Sequence, residues 1–326
     1  MATRDQIVDV YRAILRRKPE SEQAIQQWVH VPGMSELMEV FLASEDYKIR
    51  FQEGRRHDSG ARDASLSWPG CAVETEQEQD TLAQLFAHIR DDWTALGASE
   101  PYYSVLSTPE NLRASFSDVD GFLDSGRRDI ERLTAFAERA GVDLPRRGTC
   151  LELGCGVGRL TAWLSATFSR VIAVDISQSH LDIAQSNLAR FEGTRQIEFH
   201  HLADPVQLRG MRNYDMFFSV IVLQHNPPPV MAFMLDTILG GLNSGGFAYF
   251  QVPTYKLGYS FGSRQYLDAL SGTGEMEMHV LPQAEIFRIA EQTGCTMLEV
   301  REDDYTGHSD GISNTFFLWK REQSYR

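Results

Sequence analysis

The chain has 326 residues and carries 31 Lys plus Arg against 45 Asp plus Glu, a net charge of −14. Hydrophobic residues at 42% and charged residues at 23% exclude wholesale disorder, and the acidic balance disfavours nucleic acid or an anionic membrane as partner. No apolar run approaches the ~18 residues of a membrane span, no signal-like core opens the chain, and the four cysteines form no CxxC pair, so a cytoplasmic, reduced setting is expected.

Residues 1–53 read as a small all-α module. Ile7, Val8, Tyr11, Ile14 and Leu15 fall at helical spacing, and Pro19 stops that helix. Ser21 is a candidate N-cap for a second helix with Ala24, Ile25 and Trp28. Ser35 opens a third, with Leu37, Val40 and Phe41, and Ser44 a fourth, with Tyr47, Ile49 and Phe51. The run from Ile7 to Pro19, with Trp28 and Phe41–Tyr47, resembles a phycobilisome-linker-like helical domain found on bacterial surface-glycan enzymes. Roughly 50 residues is marginal for independent stability, so the module is expected to dock on a protein partner. A generic helical cap is the other reading.

Residues 54–79 read as a linker, with Gly54, Gly60 and Gly70 and the acidic series Glu74, Glu76 and Glu78. A second domain then runs over 80–326. Leu82, Leu85, Phe86, Ile89, Trp93 and Leu96 predict a helix capped by Gly97, and Ile130, Leu133, Phe136 and Ala137 predict another over 129–140. These helices make 80–148 an N-terminal lid region ahead of a core at 149–326. In the core, apolar runs at 149–153, 171–175, 197–202, 214–222 and 246–252 alternate with helical stretches at 178–191 and 229–242, which predicts a parallel sheet. Runs at 296–304 and 314–320 close the chain, one of them expected to be antiparallel.

The strongest chemical signal is Glu152-Leu153-Gly154-Cys155-Gly156-Val157-Gly158-Arg159, which follows a strand and opens a helix. Glycines there let backbone approach a ligand closely. A dinucleotide-binding turn needs Gly or Ala where Arg159 stands, which disfavours a nicotinamide dehydrogenase. Asp175 ends the next strand about 20 residues on, where a carboxylate meets ribose hydroxyls.

From Leu82 to the C-terminus, this turn, Val174–Ser177, Tyr214–His225 and Leu242–Phe247 resemble the class I S-adenosylmethionine-dependent methyltransferases. The resemblance implies a Rossmann-like, seven-stranded, mostly parallel sheet with helices on both faces. It also implies S-adenosyl-L-methionine as cofactor and S-adenosyl-L-homocysteine as product. By position, Glu152 and Gly154 approach the methionyl end, with Gly156 and Gly158 nearby. Asp175 accepts the ribose hydroxyls, Ile176 lies against adenine, and Asp204 contacts the adenine amino group. Ser219 or Val220 offers a backbone carbonyl to the cofactor's ammonium. Pro101–Ser107 resembles the lid of one methyltransferase subgroup, so Tyr102 and Tyr103 either close the site or are core aromatics.

If the acceptor is a hydroxyl, a base must take its proton, and His is the usual group at neutral pH. His225, just past the fourth core strand, is the candidate; a structural or cofactor-neighbouring hydrogen bond is its other reading. His279 and His308 are runners-up. No His, Cys, Asp or Glu spacing fits a metal, so none is expected. The insertion 253–281, with Tyr255, Tyr259, Arg264, Gly272 and Gly274, mixes rings with polar groups, which suits a sugar acceptor, an aromatic natural product, or a surface loop packed on itself. The N-terminal resemblance implies O-methylation of a sugar hydroxyl in a bacterial glycan or its precursor. Its alternatives are a small-molecule O- or N-methyltransferase and an inactive cofactor-binding adaptor.

Overall fold

The computed structural model describes residues 2–14, 19, 21–44, 70–191, 196–270, 276–307 and 311–322. The chain forms two compact units, Met1–Gly70 and Cys71–Arg326.

In the first unit, helices α1 (Arg4–Ile14), α2 (Glu22–Gln26) and α3 (Met34–Ala43) gather Ile7, Val10, Tyr11, Ile25, Val31, Leu37 and Phe41 into one core. The Tyr11 and Phe41 rings meet edge to face at 4.9 Å. Ser21 caps α2, its Oγ accepting from Ala24 N–H at 3.2 Å. Two local expectations fail. Gly33, not Ser35, stands at the N-cap of α3, and Val40 is exposed, because α3 turns Leu37 and Phe41 inward instead. The expected fourth helix beyond Ser44 lies outside the described residues, as does Leu15.

The second unit takes in the end of the expected linker. Ala72–Val73 pairs in parallel with Ser260–Phe261, and Glu74 accepts from Ser263 N–H at 2.6 Å. Residues 54–69 lie outside the described residues. Helix α4 (Gln79–Ser99) runs through Gly97 rather than ending there. A Cβ at Gly97 would stand 2.3 Å from Ser177 Oγ, so the glycine serves close helix packing, not a cap. Helices α5 (Val119–Ser125) and α6 (Arg127–Ala140) follow, α6 closing on Gly141 at φ 67°.

Seven strands form the central sheet: β1 (Thr149–Leu153), β2 (Arg170–Asp175), β3 (Gln196–His201), β4 (Tyr214–Ser219), β5 (Leu242–Lys256), β6 (Cys295–Asp303) and β7 (Gly311–Lys320). Their spatial order is β3-β2-β1-β4-β5-β7-β6, and β7 runs antiparallel to both its neighbours. Alternating residues sort the core onto two faces: Leu151 and Leu153 with Phe217 and Phe250 on one, Cys150 with Met216, Phe218 and Tyr249 on the other. Helices α7 (Thr161–Thr167), α8 (Gln178–Leu188), α9 (Pro228–Gly241) and α11 (Gln283–Gln292) connect the strands. Pro228 begins α9, where a missing N–H costs nothing. The expected insertion is partly regular: β5 extends to Lys256 and a short helix, α10 (Ser263–Ala269), follows. The chain leaves β1 toward β2 on one side and β4 lies on the other, so the strand order reverses at β1. Such a reversal opens a crevice at the strands' carboxyl ends.

Candidate active site

A cleft lies at that reversal. Its wall takes Leu153 to Gly156 from the turn after β1, Asp175 and Ile176 from the end of β2, and Val220 to Val222 from the end of β4. It takes Phe86, Ile89 and Trp93 from α4, and Ser104 and Val105 from the segment beyond it. Arg159, His180, Leu202, His225, Asn226 and Met234 complete the main features.

The glycine turn is left-handed at Gly154 and Gly156, φ 76° and 52°, a conformation that a side chain opposes. A Cβ at Gly154 would come within 2.3 Å of Val222, and one at Gly156 within 2.5 Å of Val105. The turn is held from beneath by Asp175. Its Oδ2 accepts from Gly156 N–H at 2.7 Å and its Oδ1 from Ser177 N–H at 2.9 Å. His180 Nδ1 stands 3.4 Å from Oδ1, and His180 Nε2 is bonded to Ser104 Oγ at 2.9 Å. The segment after α4 is thus tied to the β2 carboxylate through one imidazole. Each carboxylate oxygen has further lone pairs for a ligand hydroxyl.

Two buried polar atoms of the site have no partner among the described residues. Glu152 accepts from Thr161 Oγ1–H at 2.7 Å through Oε2, while Oε1 is unpaired. Burial, reinforced by the nearby Asp175, pushes this carboxyl up to about 8 against the Thr161 hydrogen bond and the attraction of Arg159. Arg159 is fixed by Asp129, Nη1 to Oδ2 at 2.9 Å, and its Nε–H is buried and unpaired at the cleft wall. Asp129 in turn accepts from Tyr305 Oη–H at 2.6 Å. A close-approach cradle, an unpaired guanidinium donor and a carboxyl that an adjacent ammonium would ionise fit a zwitterionic amino-acid group.

At the other end, His225 is partly exposed into the cleft, its ring 5.0 Å from that of Trp93. Its Nδ1 is bonded to the Glu277 carbonyl oxygen at 2.7 Å. A carbonyl only accepts, so Nδ1 carries the proton. Burial pushes the ring down to about 4, with the neighbouring His279 adding to the effect and the Glu277 carbonyl opposing it. His225 is therefore neutral at pH 7, with Nε2 as its basic atom.

The expected site residues divide accordingly. Gly154, Gly156, Asp175, Ile176, Val220 and His225 meet at the cleft. Glu152 lies beneath the turn, Gly158 packs on Leu188 of α8, and Ser219 Oγ donates to the Leu153 carbonyl at 3.1 Å. Asp204 stands in a separate depression with Phe233 and Arg209, its carboxylate accepting from Val206 N–H, because it caps the 3-10 turn 205–210; Leu202 takes its place at the wall. Tyr102 and Tyr103 are not at the wall either. Tyr102 stacks on Phe116 at 3.7 Å and donates to Asn187, leaving Ser104 and Val105 to face the cleft. Tyr255 lines a different small hollow with Val280 and Ile312, and Arg264 is exposed. His279 is buried between Glu277 Oε2 and Tyr259 Oη, both 2.9 Å away, which makes it a clamp on the 276–282 segment rather than a cleft group. His308, Gly272 and Gly274 lie outside the described residues. Sequence reading missed Arg159 as a wall residue, and it missed Ser104 and His180. The 86, 89, 93 spacing of the α4 residues was visible, but only as a buried stripe.

No group of three or more His, Cys, Asp or Glu among the described residues could hold a metal ion, and no described helix is long and apolar enough to cross a membrane.

Residues 150–246 match the sequence profile of the family described as a methyltransferase domain. The chain is 27% identical over 179 residues to a tRNA/tmRNA (uracil-C(5))-methyltransferase of Teredinibacter turnerae, covering 51% of this chain and 47% of that protein. It is 26% identical over 136 residues to a ubiquinone biosynthesis O-methyltransferase of Nitrosomonas europaea, covering 41% of this chain and 53% of that one. The chain thus spans about half the length of these two relatives or less. Among solved structures, it aligns with magnesium protoporphyrin IX methyltransferase from Synechocystis PCC 6803 with bound SAH, at 18% identity and a TM-score of 0.49, over 72% of this chain and 98% of that one. The matched region, from Cys150 to Gly246, is the part of the chain that carries the glycine turn, Asp175 and His225.

Proposed function

We propose that the chain is an S-adenosylmethionine-dependent O-methyltransferase whose acceptor is a hydroxyl on a largely apolar small molecule. The observation that carries this reading is a neutral His225, Nε2 unprotonated, in a cleft whose wall also carries Phe86, Ile89, Trp93, Val222 and Met234. The insertion that pointed to a sugar contributes none of its described residues to that wall. The acidic chain, and a cleft whose one arginine is already paired with Asp129, support a small acceptor over RNA.

In this reading Asp175 holds the cofactor's ribose hydroxyls, and the Arg159 Nε–H meets its carboxylate. Glu152 answers its ammonium beneath the turn, and Ile176 and Leu202 flank the adenine. When bound, the cofactor supplies a methyl group activated on sulfur, which leaves as the thioether S-adenosylhomocysteine as the new carbon–oxygen bond forms. His225 takes the hydroxyl proton at Nε2, and the Glu277 carbonyl steadies the ring through Nδ1–H while it is charged. A ring held down by burial releases that proton readily to solvent afterwards. The apolar wall excludes water, which strengthens each of these polar contacts.

The test is transfer of labelled methyl groups from S-adenosylmethionine to phenols and apolar alcohols, to oligosaccharides and to tRNA. Label in the first set is expected. Label confined to oligosaccharide or tRNA overturns the acceptor class, and tight cofactor binding with no transfer anywhere overturns the activity. With the accepted substrate, His225→Gln is expected to lower kcat ~10²–10⁴-fold while cofactor Kd stays within about threefold.

A further inference from the structure

We infer that Gln224 and Gln251 are positioning residues for His225, forming a polarised amide chain that keeps its Nε2 an acceptor. The inference rests on the reading of His225 as the base.

The direction of every bond in the chain is fixed from its ends. Ile221 N–H donates to Gln251 Oε1 at 3.0 Å; a backbone N–H cannot accept, so that end of the amide is oxygen. Gln251 Nε2 then donates to Gln224 Oε1 at 3.0 Å and to Ser313 Oγ at 2.7 Å. That places Gln224 Nε2, a donor, 3.3 Å from His225 Nε2. Worked from the far end, the Glu277 carbonyl demands a proton on Nδ1, which again leaves Nε2 as the acceptor. The two ends, 56 residues apart in sequence, require the same tautomer.

Both amides are buried, Gln251 at 0% and Gln224 at 2% exposure. Such groups are costly unless every donor and acceptor is matched, and here each amide oxygen and nitrogen has a partner. The chain begins at a strained residue. Ile221 is β-branched yet left-handed, φ 60°, at the cleft wall, a conformation that persists only where the surroundings over-determine it. The bond to Gln251 does so. The other end is held as firmly: His279 N–H donates to the Gln224 carbonyl at 2.7 Å, and the Glu277 carboxylate takes Tyr266 Oη–H at 2.6 Å and His279 Nε2 at 2.9 Å. The bond from Gln224 to Nε2 is the longest in the chain, so an acceptor hydroxyl can replace it without breaking a strong contact.

The test is the titration of His225, followed by NMR in the free protein, alongside the pH dependence of kcat. In Gln224→Glu an acceptor faces Nε2, the ring must take a second proton, and its titration is expected to rise by ~1–3 pH units. The acid limb of the kcat profile is expected to rise by the same ~1–3 pH units, so that the loss in kcat deepens below neutral pH. Gln251→Glu, one residue removed, forces the Gln224 amide to turn over and is expected to shift the titration in the same direction; it serves also if Gln224→Glu does not fold. Gln224→Met, without added charge, is expected to produce no upward shift. An unmoved His225 titration in either folded glutamate variant overturns the chain. A shifted titration with unchanged kcat supports the chain and removes His225 from the base role.

Discussion

The two ends of the cleft are built in different ways. The end formed by β1 and β2 is local: one eight-residue turn and one strand-end carboxylate, 19 residues apart, hydrogen-bond directly to each other through Gly156 and Asp175. The end formed by β4 is assembled from distance: His225 is oriented by residue 277, Gln224 by residue 251, and residue 251 by 221 and 313. The first end carries a pattern that any chain making this turn must show. The second carries a geometry that many sequences could reach with other residues. Under the proposed function, the first end holds the cofactor and the second faces the acceptor.

Three measurements bear on that comparison. The largest effect is expected at the local end. Asp175→Ala removes the carboxylate proposed to hold the cofactor's ribose and takes away the acceptor of the Gly156 and Ser177 N–H groups. Cofactor Kd should rise ~10–100-fold, and the unfolding free energy should fall by about 2–5 kcal/mol. Calorimetric titration and urea unfolding read the two. A Kd change with unaltered stability would show that the carboxylate does not support the turn.

The second concerns pH at the assembled end. Above about pH 6.5 the His225 ring is neutral in both the folded and the unfolded chain. Between that and its folded value of about 4, only the unfolded chain binds the proton. Wild-type stability should therefore fall on acidification through this window by about 1.4 kcal/mol per pH unit more than that of His225→Gln. Parallel stability–pH curves for the two proteins would mean that the ring is not held neutral.

The third sits where the ends are joined. Gly97→Ala in a helix interior would ordinarily stabilise by ~1 kcal/mol. Here the added Cβ meets Ser177 Oγ, beside the Asp175–His180–Ser104 tie, and a net loss of about 1–2 kcal/mol is expected. A stabilised variant would show that α4 can move off α8 freely and that the tie does not set their spacing.

The fold was legible because its signals are local. Strands announce themselves as short apolar runs, helices as stripes at 3.6-residue spacing, and the alternation of the two implies a parallel sheet. Gly97 shows where that logic stops: a glycine near the end of a stripe reads as a cap, and only the approach of Ser177 reveals it as a packing residue. Asp204 shows the same limit, since a carboxylate after a strand reads equally as ligand or as helix cap, and the 3-10 turn that follows takes it as a cap.

The sequence alone determined the second unit's strand–helix order, the glycine turn, and the carboxylate one strand later, because each is a short-range requirement of backbone geometry. Tertiary structure decided the rest. It brought Arg159 to Asp129, Ser104 to His180 and Gln224 to Gln251, pairs separated by 27 to 76 residues. Side chains so far apart leave no periodic trace in the chain. Their pairing follows from which faces the packed layers bring together, and from the cost of leaving any of those polar groups buried without a partner.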